Sequence, residues 1–100
     1  MTAAPTLPVE QAAAAHAQHI MWGDRAAMHQ DCITQVRQEP PDLYAQLGTT
    51  TFARYAVLGH ARIGLQHVFK IRYFGATTVT VHHRFGAMEG QWRVLESTRV

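Results

Sequence analysis

Cysteine is nearly missing: Cys32 is the only one in 100 residues. No intrachain disulfide is possible, and such sparse cysteine agrees with a reducing compartment. Long hydrophobic runs are missing too, and nothing approaches the ~20 apolar residues of a membrane-spanning helix. Charge is scarce, at 16% of residues against 47% hydrophobic, which excludes a disordered charged chain and favours a packed globule. Internal repeats and low-complexity linkers are absent. Met1-Thr2-Ala3-Ala4-Pro5 has neither the basic region nor the apolar block of a secretory signal. These absences lead us to expect a flexible tail over 1–7 and a single cytoplasmic domain over 8–100, with a core adequate for its size.

What charge there is divides unevenly. The formal net charge is +2, but residues 1–50 sum to −3 and residues 51–100 to +5. A polarity of this kind marks either an anion-binding surface or an acidic helical layer packed near a basic sheet.

The first half carries helical signals. Pro8 suits a first helical position with Thr6 as a nearby capping candidate, and Val9, Ala13, His16 and Ile20 form one stripe up to Gly23. Asp24 reads as the N-cap of a second helix to about Val36, with Met28, Cys32 and Val36 as its apolar positions. Pro40-Pro41-Asp42 restarts the chain into a short third helix, Leu43 to Leu47, stopped by Gly48.

After Gly48 the period changes to two. Four strands are expected, at about 53–63, 66–74, 77–85 and 91–99, forming one antiparallel sheet. Its apolar face takes Phe69, Ile71, Tyr73, Val79, Val81, Phe85, Trp92 and Val94, and the same parity places His67, His83 and Glu96 among them. The other face collects Lys70, Arg72, Thr78, Thr80, His82, Arg84, Arg93 and Arg99. A three-residue loop at Gly75-Ala76-Thr77 pairs Tyr73 with Val79 and Ile71 with Val81, which keeps the faces consistent. A loop of Ala87 to Gly90 pairs Phe85 with Trp92 and His83 with Val94, leaving Glu96 diagonal to His83.

The order of elements, with Trp22-Gly23-Asp24 between the first two helices and Gly90-Gln91-Trp92-Arg93-Val94 in the last strand, resembles the nuclear transport factor 2-like and SnoaL-like superfamily. The resemblance implies a cone-shaped α+β fold: two N-terminal helices and a short third packed on a four-stranded curved antiparallel sheet, with a pocket at the open end. It also implies a homodimer, since related cones often pair through their sheets. The carboxylate base and acid–tyrosine oxyanion hole of the family's isomerases have no residue-by-residue match in this chain, so no catalytic assignment is carried over.

The sharpest chemical candidates are His83 and Glu96, because a histidine beside a carboxylate in apolar surroundings suits general acid–base work. The plainer alternative is a structural plug at the end of a small core. With His67, Phe69, Tyr73 and Trp92 they would line a small apolar pocket. His16 and His19, three apart on the first helix, are within reach of one metal ion, with His29 as a third ligand. No HExxH pattern or second cysteine supports them, so neither a metal nor a cofactor is expected. Cys32 with His29 reads as a core thiol rather than a thiolate pair. Leu58, Lys70, Arg72, Phe74, His82, Arg84 and Arg93, with Leu95, make the outer sheet face the expected dimer surface. That face lacks a nucleic-acid-binding motif and has few aromatics, so nucleic acid is the less favoured partner. The leading expectation is a small-molecule-binding or accessory domain; the alternatives are a small isomerase, cyclase or hydrolase-like enzyme and an interaction module.

Overall fold

In the computed structural model, which describes residues 7–39 and 43–100, helix α1 spans Val9–Trp22. Its buried stripe is Val9, Ala13, His16, Ala17 and Ile20, which includes all four expected positions. The helix ends where the sequence says it should. Gly23 adopts φ 69°, and the Gly23 and Asp24 amides donate to the carbonyls of Ile20 and His19. This is a Schellman arrangement, and its left-handed residue favours glycine. Asp24 caps α2 (Arg25–Gln30), its carboxylate accepting from the Ala27 amide at 3.1 Å. Thr6 and Pro40-Pro41-Asp42 lie outside the described residues.

The second helix is shorter than expected. It stops at Gln30, and Cys32–Glu39 forms strand β1 instead. The physical reason is twofold. Ile33, Thr34 and Val36 are β-branched and prefer extended backbone. The edge of the last strand also offers a hydrogen-bonding partner, and β1 takes it in parallel, pairing Cys32 with Val94 and Arg37 with Glu96. Helix α3 follows over Leu43–Thr49, running through Gly48 rather than stopping there.

The meander then comprises β2 (Phe52–Ile63), β3 (Gln66–Gly75), β4 (Val79–Met88) and β5 (Gln91–Arg99). The sheet therefore has five strands rather than four, in the order β1-β5-β4-β3-β2. The β3–β4 register is the expected one, with Tyr73 opposite Val79 and Ile71 opposite Val81. The β4–β5 register is not. Glu89 (φ 52°) and Gly90 (φ 78°) make a tight two-residue turn, so Met88 faces Gln91 and Phe85 faces Val94. The strand then bulges at Leu95, so Arg84 faces Glu96 and His83 faces Ser97. A second irregularity, at Leu58, interrupts β2 between Val57 and Gly59. Extra residues of this kind bend a strand and increase its twist, curving the sheet around the helices.

The core sits between the concave face and the helices. Phe69, Ile71, Tyr73, Val81, Phe85 and Val94 meet Ile20, Met28, Leu43 and Leu47, all at 2% exposure or less. Helices packed on one face of a curved, mainly antiparallel sheet make this an α+β fold. Among the described residues no helix is long and apolar enough to cross a membrane.

Candidate functional site

A chain of polar side chains crosses the apolar core. His16 on α1 bonds Asp31, at the end of α2, from Nδ1 to Oδ2 at 2.8 Å. Its Nε2 lies 2.9 Å from the Tyr44 hydroxyl on α3. That hydroxyl lies 2.6 Å from Ser97 Oγ on β5, which is 3.0 Å from His83 Nδ1 on β4. His83 Nε2 finally meets the Tyr73 hydroxyl on β3 at 2.8 Å. His16, Tyr44, Tyr73, His83 and Ser97 are all buried.

One assignment of protons satisfies every link. The Tyr73 hydroxyl donates to His83, His83 Nδ1–H to Ser97, Ser97 to Tyr44, Tyr44 to His16 Nε2, and His16 Nδ1–H to the Asp31 carboxylate. Within this network His83, Ser97, Tyr44 and His16 each give one hydrogen bond and take one, while Tyr73 only gives and Asp31 only takes, so the buried polar groups find partners. His19 also donates to the same Asp31 oxygen, at 2.6 Å.

The electrostatics agree with that assignment. Burial, reinforced by His16 and His82, pushes the His83 pKa well below its ordinary value. Burial lowers His16 as well, with partial opposition from Asp31. Both imidazoles are thus neutral near pH 7. For Asp31, burial favours the neutral acid, but the bonds from His16 and His19 outweigh it and hold the carboxyl below its usual range. The His16–Asp31 contact is therefore a neutral imidazole donating to a carboxylate, not an ion pair. Burial raises the hydroxyls of Tyr44 and Tyr73 well above the ordinary phenol range, with Cys32 adding to the effect at Tyr44 and Tyr55 at Tyr73.

Asp31 is where this network meets solvent, with its side chain 25% exposed. It lies in a cleft of about 390 Å³ lined also by Leu7, Ala12, Ala15, Phe85, Gln91 and Trp92. Trp92 closes one side, its indole N–H donating to the Leu7 carbonyl at 2.8 Å.

Four of the six pocket residues expected from the sequence do not line this cleft in the expected way, and a fifth leaves the face altogether. Phe69, Tyr73 and His83 are on the concave face but sealed within the core. His67 sits near the rim, edge-on to Trp92 with ring centroids 5.4 Å apart. Trp92 alone of the six lines the cleft. Glu96 is not beside His83: the Leu95 bulge inverts the parity of β5, so Ser97 faces His83 and Glu96 turns to the Arg84 guanidinium, 3.9 Å away. The expected His83–Glu96 pair does not exist.

Sequence reasoning missed Asp31, Tyr44 and Ser97. His16 was the available signal, since a histidine on the buried stripe of a helix requires partners. His16 and His19 converge on a carboxylate, not on a metal, and no three His, Cys, Asp or Glu residues among those described are arranged to hold an ion. His29 is exposed. The Cys32 thiol is pushed up to about 11, chiefly by burial, so it is not a thiolate.

The outer face is more committed than its sequence suggests. Arg72 donates to Thr80, Arg93 to the Gln30 carbonyl and Arg84 to Gln66, while Arg54 lies over the Phe74 ring at 4.0 Å. Lys70, His82 and Arg84 border a shallow groove of about 370 Å³ with Ala61, Ile63 and Val68. Leu58 is 45% exposed.

Several solved structures share this arrangement. An NTF2-like protein of unknown function from Silicibacter pomeroyi aligns with a TM-score of 0.72 at 14% identity, covering 92% of this chain and 91% of that one. Another, from Shewanella baltica, gives 0.71 at 12% identity, covering 92% and 89%. A de novo designed protein with a curved β-sheet gives 0.71 at 14% identity, covering 92% and 98%. No family model and no curated protein matches the sequence. At these identities the likeness shows the fold: the chain has the NTF2-like fold.

Proposed function

We propose that this protein binds a small, mainly apolar molecule in the cleft beside Trp92, holding it through a hydrogen-bond donor directed at Asp31. One observation carries the reading: an ionised carboxylate, held by two imidazoles, stands in a cleft otherwise walled largely by Leu7, Ala12, Ala15, Phe85 and Trp92. Its volume of about 390 Å³ falls within the range of small-molecule pockets. A carboxylate only accepts hydrogen bonds, so the ligand class is an alcohol, phenol or amine with an apolar body, and anionic ligands are repelled. The lowered pKa also makes Asp31 a weak base, better suited to orienting a ligand than to abstracting a proton, for which a value nearer 7 is effective. Binding is therefore favoured over catalysis.

The test is a thermal-shift screen of small apolar alcohols and amines against the wild-type chain and Asp31→Asn. Stabilisation by a ligand grows as RT ln(1 + [L]/Kd), about 2.7 kcal/mol at a hundredfold excess over Kd. A hit that stabilises both proteins equally would sink the Asp31 anchor, and the absence of any hit would sink the pocket.

A second reading concerns assembly. Exposed large apolar residues gather on and beside β2, at the edge of the sheet: Val57, Leu58, Ile63 and Leu65. A long exposed edge strand with apolar side chains favours association. This supports a homodimer through the β2 side of the sheet and its outer face. Sedimentation at micromolar concentration should give twice the 11.2 kDa of one chain; a single 11.2 kDa species excludes the dimer.

A further inference from the structure

Beyond the cleft, the geometry points to a divalent transition-metal site formed by His60 and His67, with Glu10 behind it. These residues lie on the inner face near the rim, outside the buried network and outside the residues lining the cleft. His60 is on β2 and His67 on β3, diagonal across a register in which Arg62 opposes His67 and His60 opposes Phe69. His60 Nε2 and His67 Nδ1 approach to 2.7 Å. Two neutral imidazoles at that distance share a single proton, one ring donating and the other accepting. If each ring instead carries its proton on the opposite nitrogen, two lone pairs converge on the same point, which is the donor set that zinc, copper and nickel prefer.

Two further features fit that arrangement. The alternative tautomer of His60 places a proton on Nδ1, and Glu10 Oε1 stands 3.9 Å from that atom. A carboxylate behind a metal-bound imidazole fixes its tautomer and strengthens it as a ligand. Both rings are also held in place: His60 stacks on Phe69 with centroids 4.0 Å apart, and His67 stands edge-on to Trp92. Against them stands Arg62, which opposes His67 across the strands, its Nε donating to the Gly64 carbonyl at 3.0 Å. Nitrogens bound tetrahedrally at ~2.0–2.1 Å from zinc sit about 3.3 Å apart, so the pair must open by about 0.6 Å. Partly exposed side chains make that movement by small χ rotations. Two protein ligands leave two positions on a tetrahedral ion for water or an exogenous donor, one more than the three-ligand catalytic sites leave and unlike closed four-ligand structural sites.

Isothermal titration of the untagged, chelator-treated chain with Zn²⁺ at pH 7.5 tests the site. One zinc per chain is expected, with the C2 protons of His60 and His67 shifting in the NMR spectrum. His60→Gln and His67→Gln should each weaken binding at least about tenfold, and Glu10→Gln by about tenfold. Urea midpoints of the variants confirm that each still folds. Failure of the wild-type chain to bind zinc at 100 µM (about a hundredfold above a micromolar Kd) overturns the proposal. Binding that persists unchanged in the double variant, or shifts confined to His16, His19, His29 or His82, overturns it equally.

Discussion

Acidification should destabilise this fold through His83, and the size of the effect follows from its burial. In the native state the ring is fully enclosed, bonded by Tyr73 and Ser97, and its pKa is depressed well below 6.5. The unfolded chain takes up a proton near pH 6.5 that the folded chain refuses. Below that pH the unfolded state binds more protons, so stability falls as pH falls and levels off only once the folded pKa is reached. Above about pH 7.5 neither state is protonated and the contribution is constant. A histidine that stays neutral when folded loses about 1.4 kcal/mol of stability between pH 7.5 and 5.5. His16 adds a smaller loss of the same sign, because Asp31 partly offsets its burial. Urea unfolding at both pH values measures the difference directly. In His83→Gln, where the amide oxygen accepts from Tyr73, the pH 7.5-to-5.5 loss should shrink by about 1.4 kcal/mol, whatever its stability at pH 7.5. An unchanged loss in the variant would refute the reasoning, since the acid sensitivity would then lie elsewhere.

Two glycines should respond oppositely to alanine. A Cβ on Gly75 would meet the Thr51 backbone oxygen at 2.5 Å, so Gly75→Ala should cost about 1–3 kcal/mol by thermal melt. At Gly59 nothing lies within 4 Å, so Gly59→Ala should be neutral or stabilise by up to about 1 kcal/mol. Cys32 should react slowly with iodoacetamide at pH 7.5, because its thiol is pushed up to about 11 and only the thiolate attacks; labelling as fast as that of an unfolded control would contradict this.

Local patterns made much of the fold readable. The α1 stripe and its Gly23 stop depend on side-chain spacing and on one left-handed residue, and both are local properties. The β3–β4 register followed from requiring Tyr73, Ile71, Val79 and Val81 to share a face. The same reasoning failed at β4–β5, because it assumed unbroken alternation. A single extra residue, Leu95, moved Ser97 to the inside and Glu96 to the outside. The sequence near Leu95 carries a trace of that bulge, since Val94 and Leu95 are consecutive apolar residues and Glu96 then falls at the apolar parity. Unbroken alternation reads the trace as a buried Glu96 rather than as a shift of register. Strand β1 was hidden for a related reason. Met28, Cys32 and Val36 satisfy a helical period, while the parallel partner that makes Cys32–Glu39 a strand lies more than fifty residues away.

By itself, then, the two-residue period after Gly48 determined a sheet with an apolar and a basic face, and helical spacing put His16 on one stripe with Val9, Ala13 and Ile20. Only the tertiary structure decided what the buried polar groups meet. Asp31, Tyr44, Ser97 and His83 come from four different elements, and His16 joins them from a fifth. Hydrogen bonds work over about 3 Å, a distance set by packing and not by sequence separation. The candidate site therefore became Asp31 in its cleft, and the polar residues on the sheet's apolar face became the network that holds it.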